Sequence, residues 1–167
     1  VKAYNEQTYV VGNIGNSYTG EVLKTSENSY TVAEISSFQL ETVHRFHPVV
    51  SAILNITPDH LNRHHTMECY AHTKERIAEN QTKDDVCVLN MEDEELYRFG
   101  IECKASVVWF SSKRKPDKGA YLDGDDIRYT DGTQDKLMLN IHDMNLLGTH
   151  NYENVCAAIA MTKAVGI

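Results

Sequence analysis

Hydrophobic positions fall in short blocks through the first two thirds of the chain, separated by longer, polar-faced stretches. Thr8 to Val11, Tyr30 to Ile35, Val49 to Ile56 and Val86 to Leu89 are rich in β-branched and aromatic residues, the composition of strands. The segments between them are long enough for crossover connections, so the pattern predicts parallel pairing. The clearest helix is Thr66 to Asn80, with Thr66 as N-cap, Glu68 in the first turn and no internal Gly or Pro. Tyr70, Lys74 and Ile77 share one face of it, at i, i+4, i+7 spacing. Ala105 to Phe110 reads as a further strand. From Gly119 the blocks shorten, and Asp123-Gly124 and Asp131-Gly132 punctuate them as turns, which predicts a small antiparallel meander. A last helix runs from Asn151 towards Gly166. The predicted class is α/β, a mostly parallel sheet flanked by helices and carrying that meander.

Composition narrows the picture. The 167 residues fit one domain, and 41% hydrophobic with 24% charged residues is an ordinary globular mixture. A net charge of −8 argues against nonspecific nucleic-acid binding, which relies on clustered Lys and Arg. The four cysteines are scattered without a C-x-x-C pair, so reduced thiols are expected. No apolar run approaches the ~18 residues of a membrane span. These features predict a cytoplasmic protein. The chain begins at Val1 and stops at Ile167, just past a helix, which suggests a piece of something longer.

Ligands of open α/β sheets gather beyond the carboxyl ends of strands, and polar clusters follow three of the predicted strands. In VGNIGNS, Gly12 to Ser17, backbone N–H groups could approach a phosphate, or the glycines could form a plain turn. Glu34 follows an apolar run and precedes Ser36 and Ser37. In a sheet interior such a carboxylate needs a cation, either a metal or an arginine, unless it caps the next helix. LNITPDHLNRHH, Leu54 to His65, holds His60, His64 and His65, and His72 follows. Zinc is conceivable, but without H-E-x-x-H solvated histidines are the simpler expectation. Lys74, beside Tyr70 and Ile77, could have a lowered pKa and react as a neutral amine with carbon dioxide, or could be an exposed helix lysine. In GTHNYEN, His150, Asn151 and Asn154 open a helix, as caps or as amides for a base or phosphate.

The order of these clusters is more specific than any one of them. GNIG, EISSFQLE, NITPDHLNRH, Y-x-x-x-K-x-R-I and G-x-H-N-x-x-N follow one another as in the central domain of the Mur ligases, which the chain resembles from about Gly12 to its end. The SSFQLE wording is most similar to members that add D-glutamate to UDP-N-acetylmuramoyl-L-alanine. The resemblance implies a P-loop-type central domain and an ATP-dependent carbon–nitrogen ligase of peptidoglycan precursor synthesis working through an acyl phosphate. Its cofactors would be ATP and Mg2+, and a monomer is expected. Glu34, His60 and Lys74 would serve magnesium, Lys74 as a carbamate; His60 and Lys74 would count as catalytic. Asn13, Ser36 and Gln39 would contact the uridine-nucleotide substrate, and Asn151 and Asn154 would contact ATP.

One departure stands out: the family's G-x-x-G-K-[ST] loop is missing, since no Gly-Lys pair occurs. Residues 1–167 are therefore expected to form a partial central ATP-binding domain, inactive alone. The phosphate loop, the N-terminal uridine-nucleotide domain and the C-terminal domain would lie outside it. Rival readings are another Mur ligase, a folylpolyglutamate synthase, a noncatalytic remnant of the fold, or a zinc hydrolase built on Asp59, His60 and His64.

Overall fold

The computed structural model describes residues 1–146 and 148–167. Its strands fall into two sheets. In the first, β1 (Thr8–Gly12) pairs in parallel with β2 (Tyr30–Glu34), with α1 (Tyr18–Glu21) between them in the chain. The second sheet runs in the order β3 (Val50–Ile53), β4 (Val86–Asn90), β5 (Ser106–Ser111), β6 (Gly119–Asp123), β7 (Asp126–Thr130), β8 (Asp135–Asn140). It is parallel as far as β6 and antiparallel after it. The remaining helices are α2 (Ser37–Leu40), α3 (Leu61–His64), α4 (Met67–Glu75), α5 (Glu94–Glu102) and α6 (Thr149–Ala164).

The larger sheet is covered on both faces, as its alternating side chains require. Cys87 and Leu89 of β4 join Tyr70 and Ala71 of α4 and Leu96 of α5 in one cluster. Val88 of β4, Val108 and Phe110 of β5 and Ala120 of β6 pack with Cys156, Ala157 and Ala160 of α6 in the other. Sequence-adjacent β5 and β6 pair in parallel across a short return loop because they overlap by only three residue pairs. The close approach falls on Gly119, where a Cβ would stand 1.7 Å from the Trp109 carbonyl oxygen.

β2 and β3 are not paired to each other, so each keeps one unpaired edge. Side chains rather than strands join the sheets. Arg76, just past α4, donates to the carbonyls of Glu41 at 2.6 Å and Val43 at 2.8 Å, and Asn80 donates to those of His44 and Phe46.

The structure changes several sequence expectations. Thr66 does cap α4, its Oγ1 accepting from Cys69 N at 3.1 Å, but the α-helix ends at Glu75 and Arg76–Ala78 tightens to a 3-10 turn. The strand expected over Val49 to Ile56 keeps ladder geometry only over Val50–Ile53. β2 was expected in a sheet interior; instead Thr31 to Glu34 are all exposed, because a two-stranded sheet has no second layer against them. The meander turns fall where the Asp-Gly pairs predicted them. Helix α5 was not foreseen.

Candidate functional site

The carboxyl ends of β1 and β2 form the first corner of the site. Gly12 lies opposite Glu34 in the ladder, with φ 111°, and Asn13 N donates to the Glu34 carbonyl at 2.7 Å. The turn brings the Asn13 amide to the Glu34 side chain, Nδ2 to Oε1 at 3.0 Å. Two residues predicted for different roles, Asn13 for substrate and Glu34 for metal, thus share one hydrogen bond. Glu34 is exposed, so it carries no desolvation cost that a cation must offset; the interior acid expected from the sequence is a surface one.

Ser36 and Gln39 form a capping box on α2. Ser36 Oγ accepts from Gln39 N at 3.4 Å, and Gln39 Oε1 accepts from Ser36 N at 2.9 Å. This engages the acceptor end of the Gln39 side chain and leaves its NH2 group at an exposed position. Phe38, between them, contacts the His60 ring with centroids 4.8 Å apart and lies 5.7 Å from His64, and the Arg63 guanidinium covers it at 4.7 Å. Arg63 also grips Glu41 with two bonds of 2.9 and 2.6 Å, which holds the Glu41 carboxyl below the usual carboxylate range.

The loop after β3 makes the second corner. Asn90 donates to the Leu54 carbonyl at 3.1 Å, and Asp93 Oδ2 accepts from Ile56 N at 2.7 Å. The other Asp93 oxygen caps α5 through the Glu95 and Leu96 amides. With its backbone fixed, the loop offers the Asn55 carbonyl to Lys74 Nζ at 2.7 Å, and the ammonium lies 5.2 Å from the centroid of the Tyr70 ring. Burial pushes the Lys74 pKa down, while Asp93 and Asp59 pull it the other way. His60 adopts φ 51° at the start of α3, and its Nε2 sits 3.4 Å from Asp59 Oδ2. Asp59 thus stands beside His60, and its charge also acts on Lys74.

Solvated histidines were the simple expectation for this loop, and His64 departs from it. It is 3% exposed, bonded to Ser37 Oγ at 3.0 Å and packed on Tyr70. His60, His65 and His72 are exposed. Asp93, Asn90 and Arg63 carried no role in the sequence reading, and Ser37, named there beside Glu34, had no partner assigned. Asp93 alone left a usable signal, an Asp followed by two Glu, which marks a helix start.

The third corner is the amino end of α6. Gly148 occupies the N-cap position at φ 107°, and Asn151 and Asn154 stand three apart on one helix face. Ser112, just after β5, donates to Glu153 at 2.6 Å and fixes this helix end beside the strand end.

Among the described residues no three His, Cys, Asp or Glu side chains converge into a metal cage, so a closed zinc site is not built here. Of the residues expected to serve magnesium, Glu34 is an exposed oxygen donor and His60 an exposed imidazole, which fits Mg2+, an ion that uses one or two carboxylates and completes its shell largely with water and substrate oxygens.

The family model of the Mur ligase middle domain matches residues 5–162. The chain is 81% identical over its full length to a protein named UDP-N-acetylmuramoylalanine--D-glutamate ligase from Lachnospira eligens, and 48% identical to one of the same name from Lachnoclostridium phytofermentans. It spans 37% of the length of each. Among solved structures it superposes on MurF from Acinetobacter baumannii with a TM-score of 0.60, covering 99% of this chain and 44% of that one at 15% identity. A ligase for UDP-N-acetylmuramate and a peptide from Neisseria meningitides gives 0.59, over 96% of this chain and 62% of that one, at 16% identity. At such identities these two establish the fold alone, and the matched family model carries the rest: the chain belongs to the Mur ligase family, within that family's middle domain.

Proposed function

We propose that the protein containing this chain is an ATP-dependent ligase that joins D-glutamate to UDP-N-acetylmuramoyl-L-alanine. The observation that carries the reading is 81% identity across all 167 residues to a protein named for that reaction. In this reading residues 1–167 are part of a central ATP-binding domain, with the phosphate loop, the uridine-nucleotide domain and the C-terminal domain elsewhere in the parent protein. The unpaired edges of β2 and β3 favour this, since one further strand between them would merge the two sheets into one.

The chemistry asks for activation of a carboxylate, a poor acylating agent. The alanyl carboxylate attacks the γ-phosphoryl of ATP and ADP leaves; the amine of D-glutamate then displaces phosphate from the acyl phosphate to form the amide. Mg2+, when bound, neutralises charge between carboxylate and phosphoryl oxygens. Glu34 and His60 would hold it, with Asn13 orienting Glu34. Lys74, its ammonium disfavoured by burial, supplies a neutral amine for carbamylation, and the carbamate keeps one N–H for the Asn55 carbonyl. Ser36 and the Gln39 NH2 face the sugar nucleotide, and Asn151 and Asn154 contact ATP. The protein acts by positioning and charge neutralisation. It works as a monomer in the cytoplasm; no helix among the described residues is long and apolar enough to cross a membrane.

The test is phosphate release from ATP by the full-length protein with magnesium and UDP-N-acetylmuramoyl-L-alanine. Release should require D-glutamate and fall at least about 100-fold in Glu34→Ala, the scale of losing an electrostatic stabiliser. Release that ignores D-glutamate, or its absence in the wild type, would discard the assignment.

A further inference from the structure

The buried contact between α2 and α3 has no part in the chemistry above. His64, on α3, is 3% exposed, and its Nε2 lies 3.0 Å from Oγ of Ser37, which is 8% exposed and belongs to α2. A polar pair so enclosed is costly to leave unmade and correspondingly directional when made. His64 Nδ1 lies 3.9 Å from the Glu41 carboxylate, which favours the tautomer protonated on Nδ1, and in that tautomer Nε2 accepts from the Ser37 hydroxyl.

The two residues sit between the groups that the reading above assigns to substrate and metal. Ser37 stands between Ser36 and Gln39, inside the capping box. His64 ends the four-residue helix whose N-cap is His60, and His64 N donates to the His60 carbonyl at 3.1 Å. Tyr70 at 5.2 Å and Phe38 at 5.7 Å hold the His64 ring from two directions, and Tyr70 in turn carries Lys74. Helices as short as α2 and α3 have little stability of their own and take their orientation from such contacts.

We propose that His64 is a positioning residue for the sugar-nucleotide side of the site, its buried hydrogen bond to Ser37 locking Ser36 and Gln39 of α2 to His60 of α3 as one body. This rests on the functional reading above. Asn151 and Asn154, on α6, lie outside that body. Loss of the lock therefore weakens use of the muramoyl substrate and spares ATP.

In the full-length protein, Ser37→Ala removes only the hydroxyl, and His64→Leu removes the acceptor while keeping bulk. Each should raise KM for UDP-N-acetylmuramoyl-L-alanine roughly tenfold, the scale of one buried hydrogen bond, and change KM for ATP less than about twofold. His64→Gln, whose amide oxygen can accept from Ser37, should return to within about threefold of wild type. Equal rises in both KM values, or no rescue by Gln, would overturn the proposal. Backbone amide exchange gives a readout that needs no turnover: residues 36–41 and 60–65 should both speed up in Ser37→Ala, while residues 105–130 do not. Faster exchange in only one of the two segments overturns the lock. A wild type that fails to ligate while both segments respond would instead discard the functional reading and keep the coupling.

Discussion

Gly12 shows how one residue sets up a corner of the site. A Cβ there would stand 2.1 Å from the Glu34 carbonyl oxygen, and φ is 111°, where side chains are strained. Gly12→Ala should therefore cost on the order of 2 kcal/mol, read as a lower urea midpoint, and should lower ligation further by parting Asn13 from Glu34. Only Gly permits the turn that lets the two meet. The sequence made Asn13 and Glu34 visible as members of recognisable words. It misjudged the surroundings of Glu34, since Val10 and Val32 looked like interior residues and are 49% and 39% exposed. Hydrophobicity reports what a strand can bury, and whether a second layer covers it depends on partners that local pattern does not encode.

Among the elements, the meander has the clearest electrostatic design. Asp135 on β8 accepts from Lys115 at 2.5 Å, Tyr121 at 2.6 Å and Arg128 at 2.9 Å, which holds its carboxyl far below the usual range. Asp131 in the preceding turn is held down to about 2 by the Gln134 and Thr133 amides. Depressed folded-state values mean stabilisation that is present above the unfolded-state pKa near ~3.9 and lost as pH falls through the folded values. The urea midpoint of wild type should exceed that of Asp135→Asn by a constant margin above about pH 5, and the margin should shrink steadily towards pH 2. A margin independent of pH would discount the ion cluster. The two Asp-Gly turns made this meander legible in the sequence. The unforeseen α5 has an apolar face, Leu96 and Phe99, but is short and carries Gly100, which lowers helix propensity; the glycine is needed because a Cβ there would meet the Trp109 ring at 2.4 Å. A packing demand from β5 thus overrode local helix propensity.

At the scale of the molecule the two sheets should behave as regions of unequal stability. β4 is buried along Cys87 to Asn90 and paired on both sides, whereas β1 and β2 have only each other. Amide exchange on the chain as it stands should be fast over residues 8–12 and 30–34 and slow over 86–90; equal protection of both would count against the division. Pattern predicted the strands and their parallel sense, but nothing local says which strands share a sheet, so the break between β2 and β3 was invisible until pairing was observed. Much of the tie across that break is made to main chain on the far side. Arg76, Asn80 and Gln81 donate to main-chain carbonyls of Glu41, Val43, His44, Phe46 and Pro48. Every amino acid supplies that carbonyl, so these bonds leave Val43, His44 and Phe46 free to drift in composition while the three donors are not, whereas Glu41 and His47 are held through their own side chains by Arg63 and Asp85. The inheritance of this joint is therefore uneven, with its main-chain-reading donors all written on the turn that follows α4.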